Sequence, residues 1–200
     1  MTTKSRGDNL IMVLNPDTVI ADSLELAFNL KTYIYITEEV QKHNFIASEE
    51  FRKAYNGFYK VRQKKQAWYD CYYSLMEQQG KQNASFEDLL WKIFQVNHSV
   101  DVSFVSKLMA TVNPNLPIWD QYVIRNLGYE KLWQKSATVS TEQRIDIAVK
   151  IYEAIMQWYE SYVHSEEGMA CIQAFDQVLP KYADKLTAVK KIDYLLWSKR

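Results

Sequence analysis

Lys107 and Asp120 flank the loop Asn113-Pro-Asn-Leu-Pro117, and no other stretch of the chain sets an amine and a carboxylate around so stiff a connection. An amine and a carboxylate held near one another can serve as a nucleophile and its base or electrostatic partner. A second candidate is the basic run Arg52, Lys53, Lys60, Arg62, Lys64 and Lys65, which interleaves with Tyr55, Phe58 and Tyr59. Such cations neutralise phosphates while rings stack on bases. An amphipathic helix with a wet, charged face produces the same pattern. His43, His98 and His164 are too scattered for a metal-ligand spacing. His98 with Asp101 is a close His–carboxylate pair, and a loop turn explains it. The acidic pairs Glu49-Glu50, Glu87-Asp88 and Glu166-Glu167 sit where helices begin, so dipole complementarity accounts for them. The chain has no phosphate-binding loop, dinucleotide fingerprint or nucleophile elbow, and no cofactor is expected.

These residues must be positioned by helices. Asp120 reads as the N-cap of a short helix ending near Leu127, with Gly128 at the C′ position. Its carboxylate would then satisfy amides of Tyr122 and Val123. Lys107 lies on a helix over 102–112 that Asp101 caps, and in a structural role it snorkels to water. Ser48 with Glu49 and Glu50 opens a helix running to about Gln79 and stopped by Gly80, with Phe51, Tyr55, Phe58, Val61, Trp68, Tyr72 and Leu75 inward. Ser85 with Asp88, and Ser140 with Gln143, form capping boxes. The second opens an amphipathic helix with Ile145, Ala148, Val149, Tyr152, Ile155, Tyr159 and Val163 on one face. Glu166 and Glu167 begin another, with Met169, Ile172, Phe175 and Val178 inward and Pro180 as its stop. Thr187 caps the last, with Ile192, Leu195 and Leu196 inward. Earlier, Asn15-Pro16-Asp17 looks like a helix start, Leu10 to Leu14 is strand or helix entry, and 19–41 fits a helix better than a strand. The periodicity predicts an all-α protein of seven to nine helices, with 1–9 as a flexible tail and 10–200 as one domain. If that domain divides into two lobes, they meet around 100–128. The remaining helices should pack around the 103–128 stretch.

Composition narrows the class. Two hundred residues with 48% apolar content can bury a sizeable core. The scarcity of turn formers, 5 Gly and 4 Pro, argues against an all-β fold. Charges balance at 24 basic and 24 acidic, unlike a dedicated nucleic-acid coat protein, although a local basic face remains compatible with neutrality. Cys71 and Cys171 follow no spacing motif and point to a reducing, cytoplasmic setting. No apolar run approaches the roughly 18 residues of a membrane span.

Ser103 to Gly128 resembles the core of the helix-hairpin-helix base-excision DNA glycosylases. In that family a lysine can lie on the hairpin's second helix, a proline-containing loop follows, and an aspartate begins a helix of the form Asp-x-His-Val that ends near Leu-Gly. The matching residues are Lys107, the 113–117 loop, Asp120-Gln-Tyr-Val123 and Leu127-Gly128. The resemblance implies a compact helical fold and a DNA partner. It assigns Asp120 to orienting water or stabilising charge on the sugar, and Lys107 to attack on the sugar carbon. It also places Trp119 against an extruded base, the alternative being a core or rim ring, and Gln121 and Arg125 on one helix face near phosphate. The chain departs from the family at residues 97–106, which hold no glycine for the hairpin turn, and at Tyr122, which stands where the family has histidine. Its Lys107–Asp120 and Asp120–Leu127 spacings are shorter, and it lacks a four-cysteine cluster motif.

The expected function is DNA binding with weak or absent catalysis, using Asp120, Lys107, Trp119, Gln121, Arg125, Lys60 and Lys64, without a metal or a membrane. The alternative is a helical protein-interaction or assembly module, including a homo-oligomer, supported by neutral charge and aromatic richness (14 Tyr, 6 Trp).

Overall fold

A computed structural model describes residues 23–42 and 48–198. The expectations for 1–22, including the tail and the Asn15-Pro16-Asp17 start, and the His43 position lie outside these residues. Every regular element among the described residues is helical. In chain order they are α1 (Ser23–Gln41), α2 (Glu49–Tyr59), α3 (Gln66–Gln82), α4 (Phe86–Asn97), α5 (Val102–Val112), α6 (Gln121–Asn126) and α7 (Glu130–Lys135). A 3-10 turn (Ser136–Thr138) precedes α8 (Thr141–Val163) and α9 (Glu166–Val178). A second 3-10 segment (Pro180–Lys185) leads to α10 (Ala188–Ser198). No described helix is long and apolar enough to cross a membrane.

The caps are largely the ones the sequence announces. Ser48 Oγ accepts from the Phe51 amide. Ser85 with Asp88, and Ser140 with Gln143, close both halves of their capping boxes, each satisfying two amides that the helix itself leaves open. Thr187 Oγ1 accepts from the Lys190 amide at 3.3 Å at the start of α10. Gly128 takes φ 75° just past α6, the left-handed conformation that glycine adopts without steric cost.

Four expectations need correction. The single helix from Glu49 to about Gln79 is two helices, separated by residues 60–65. Lys60 (φ 56°) and Gln63 (φ 58°) are left-handed there. The apolar stripe has a gap between Val61 and Trp68 that no buried face can span, so the chain turns instead. Gly80 does not stop α3, which runs on to a left-handed Asn83. Asp101 occupies the cap position of α5, but its carboxylate makes no capping bond, because other partners claim it. In α9 the buried face is Gly168, Cys171 and Phe175, while Met169 is 52% exposed. The reason lies at Gly168, where an added Cβ would sit 1.9 Å from the Tyr162 carbonyl oxygen. That close backbone approach rotates the helix about its axis and turns Met169 outward.

Buried side chains form one hydrophobic cluster to which every described α-helix except α7 contributes. Aromatic pairs fill much of it: Trp68 stacks on Tyr72 with centroids 4.5 Å apart, and Phe86 on Tyr152 at 4.1 Å. The loop between α5 and α6 is tied to it by hydrogen bonds from several helices. Ser106 Oγ of α5 accepts from the Trp119 amide at 2.9 Å. Tyr152 of α8 donates to the Pro117 carbonyl at 3.0 Å. Thr187 Oγ1 and Lys190 Nζ donate to the Pro114 and Leu116 carbonyls at 2.7 and 3.0 Å. Prolines stiffen the loop, and side chains from three helices satisfy its buried polar groups. Helices α5 and α8 and the start of α10 thus converge on this loop.

Candidate functional site

Asp120 is held in extended backbone at the start of α6, with Oδ1 accepting from the Tyr122 amide at 2.8 Å. No protein donor among the described residues reaches Oδ2, and the residue is half-buried. The cap therefore uses one carboxylate oxygen and leaves the other for a partner.

Lys107 projects from α5 into a half-buried niche. Its Nζ donates a long bond, 3.4 Å, to the Tyr59 carbonyl. It lies 5.9 Å from the Tyr59 ring centroid and 5.4 Å from that of Phe104. Burial lowers its pKa below the ordinary lysine value, and the Asp120 carboxylate opposes that shift. The two heads stand beyond the 4.0 Å of a direct ion pair. An amine so placed loses its proton more readily than a surface lysine and becomes nucleophilic at a lower pH. A carboxylate with a free oxygen nearby can accept a proton or balance a developing cation.

The other sequence candidates fall into distinct environments. Trp119 is 2% exposed, and its ring meets Trp133 edge-on at 5.3 Å. Arg144 lies over the outer ring, 4.6 Å from the Trp133 centroid. Trp119 is therefore a core ring, shielded by Trp133, and any contact with an extruded base would require displacing that shield. Gln121 and Arg125 are both exposed on α6, with the Arg125 guanidinium over the Tyr122 ring at 5.1 Å. Lys60 is exposed at the end of α2.

Lys64 is committed elsewhere. It pairs with Asp101 at 2.9 Å, with side-chain exposures of only 16% and 12%. The same carboxylate accepts from Trp68 Nε1 at 2.9 Å, Asn97 Nδ2 at 3.1 Å and Ser99 Oγ at 2.9 Å. Lys64 Nζ also lies 4.9 Å from the ring centroids of both Trp68 and Phe104. Asp101 is thus the knot that ties the 60–65 turn to the α4–α5 loop. His98 does not join it: its ring packs edge-on against Phe94, as a loop turn allows.

Sequence reasoning missed a second polar centre. Lys190, 1% exposed, pairs with Asp193 at 2.6 Å, and Tyr159 donates to the same carboxylate at 2.5 Å. An i,i+3 pair on a helix resembles countless surface pairs, so its signal was only that Ile192, Leu195 and Leu196 leave Lys190 and Asp193 little room to face water. This centre anchors the loop that carries Asp120, because Lys190 also holds the Leu116 carbonyl. No group of His, Cys, Asp and Glu among the described residues could hold a metal ion. A shallow apolar depression of about 440 Å³, lined by Met169, Ile172, Gln173, Asp176 and Gln177, lies on α9.

Comparisons with protein-family models, with curated proteins and with solved structures return no match. Its own geometry defines an all-α protein with a half-buried lysine and a half-buried aspartate on either side of a proline-stiffened loop.

Proposed function

We propose that this chain binds DNA at the mouth formed by Lys107 and Asp120, and that base release and strand scission there are weak or absent. The observation that carries the reading is the amine of Lys107, held with a lowered pKa in the field of an aspartate that keeps one oxygen free. Burial of an ammonium without a close counter-ion is unfavourable, and here its partners are the Tyr59 carbonyl and the Tyr59 and Phe104 rings. Gln121 and Arg125 are exposed on the helix that Asp120 begins, and Lys60 follows the residue whose carbonyl Lys107 touches. These side chains would meet phosphates on either side. Weak catalysis fits the commitment of Asp120 Oδ1 to its own helix end and the burial of Trp119.

Fluorescence anisotropy with labelled duplex, abasic and single-stranded oligonucleotides tests this reading. Binding that weakens steeply with salt is the expected result, and no association with any of the three at low salt would remove the idea. Asp120→Asn then asks whether chemistry accompanies binding: residual base release or nicking that survives the change unaltered would make Asp120 structural only.

A protein-interaction module is the second reading. The observation favouring it is the exposed Met169 beside Ile172 on α9. The aromatic surplus speaks against it, because Tyr33, Tyr55, Tyr59, Tyr72, Tyr73, Tyr152, Tyr159, Tyr182 and Tyr194 are all buried within the chain itself.

A further inference from the structure

We infer that the turn at residues 60–65 is a preformed clamp for a nucleic-acid phosphodiester backbone, with Lys60, Arg62 and Lys65 as its contacts and Lys64 as its tether. The inference rests on the DNA-binding reading and names the surface through which the strand would arrive.

The turn carries four cations in six residues, and the structure divides them by role. Lys60, Arg62 and Lys65 are exposed, and none has an ion-pair partner among the described residues. Lys64 is spent on Asp101. Three exposed cations thus stand without an ion pair on one short connection.

The connection is also held in shape. Lys60 and Gln63 adopt left-handed backbone, the Val61 amide closes back on the Asn56 carbonyl at 3.0 Å, and Val61 is 3% exposed. The Asp101 knot pins the far side. Cations on a fixed turn lose less freedom on meeting a phosphate than cations on a floppy segment, which is how preorganisation raises affinity. The turn borders the candidate site directly. Lys107 Nζ donates to the Tyr59 carbonyl, one residue before Lys60, and the amines of Lys64 and Lys107 lie 4.9 and 5.4 Å from the Phe104 ring centroid. A strand lying across the turn therefore passes close to Lys107. A lipid surface fits less well, since buried apolar area adds to electrostatic attraction in membrane binding, and the turn's one aliphatic residue, Val61, is buried.

The test compares the full chain with R62E/K65E, a charge-matched control K181E/K185E and K64M, each checked for folding by circular dichroism. Titrations use a labelled abasic duplex and, separately, phosphatidylserine vesicles. R62E/K65E is expected to bind DNA at least about tenfold more weakly, with a salt dependence shallower by about two phosphate contacts. K181E/K185E should bind as the unmodified chain does. K64M should lose affinity through loosening of the turn, with a local rise in amide exchange at 60–65. DNA binding by R62E/K65E equal to that of the unmodified chain would overturn the clamp while leaving the DNA reading intact. Absence of DNA binding by the unmodified chain would overturn both, and binding to vesicles alone would assign the turn to lipid.

Discussion

At the scale of single residues, Lys107 ties stability to chemistry. Its folded-state pKa is lowered by burial, so between the folded and unfolded values the unfolded chain binds more protons. The penalty for burying the ammonium is present in full below the folded value and is relieved as pH rises toward the ordinary lysine value. Lys107→Met should therefore stabilise the fold near neutral pH by about 1 kcal/mol, with an advantage that shrinks as pH rises. Urea denaturation at several pH values measures this, and a destabilised K107M at neutral pH would show that the Tyr59 carbonyl contact matters more than the buried charge. Asp120 separates its two duties through a conservative change. Asparagine caps as well as aspartate does, so Asp120→Asn should alter stability by a few tenths of a kcal/mol at most, whereas Asp120→Ala should cost about 1 kcal/mol. Removing the charge also removes the influence that raises the Lys107 pKa. A 13C NMR titration of Lys107 should find it lower still in D120N, and an unchanged midpoint would mean that the two heads do not sense one another.

At the scale of elements, the strongest device is the Asp101 knot, which accepts from Lys64, Trp68, Asn97 and Ser99 at once. Asp101→Ala strands a largely buried ammonium and an indole N–H, and should cost about 3 kcal/mol. Equilibrium unfolding of D101A within experimental error of the parent would contradict that role. Gly168→Ala forces a Cβ into the Tyr162 carbonyl and should cost about 3 kcal/mol through overpacking, also measured by denaturation. Helix starts were legible because capping chemistry is local: Ser48, Ser85, Ser140 and Thr187 all cap as their neighbours imply. The break at 60–65 was not, because no Gly or Pro marks it. Its cause is Asp101, more than thirty positions away, together with an interrupted apolar stripe. The register of α9 was misread because Met169 and Ile172 look inward by hydropathy, whereas contact between Gly168 and the Tyr162 backbone sets the rotation.

At the scale of the whole molecule, the aromatic surplus is core. Burial raises the pKa values of Tyr33, Tyr55, Tyr59, Tyr72, Tyr152, Tyr159 and Tyr194. These phenols stay neutral in the fold and ionise once unfolded, so the stability they confer is intact below the ordinary tyrosine value near 10 and falls as pH rises above it. Absorbance at alkaline pH should show the exposed tyrosines titrating first and the buried set ionising together with unfolding, whereas a single transition of all tyrosines before unfolding would contradict the packing. The all-α class was legible from periodicity and sparse turn residues. The convergence of α5, α8 and α10 on the 113–120 loop was legible only as an expectation that helices gather there. Which polar groups hold it, Ser106, Tyr152, Thr187 and Lys190, depends on contacts 13 to 74 positions apart, which local patterns do not encode. The stiff loop between Lys107 and Asp120 was legible in the sequence, whereas the commitment of Lys64 and the burial of Trp119 required the fold. The most direct test is amide and lysine NMR mapping of the full chain titrated with an abasic duplex. The account predicts shifts that cluster at Lys107, Asp120 and residues 60–65 and that diminish with added salt. Shifts confined to the Met169–Gln177 face, or none at any concentration, would contradict it.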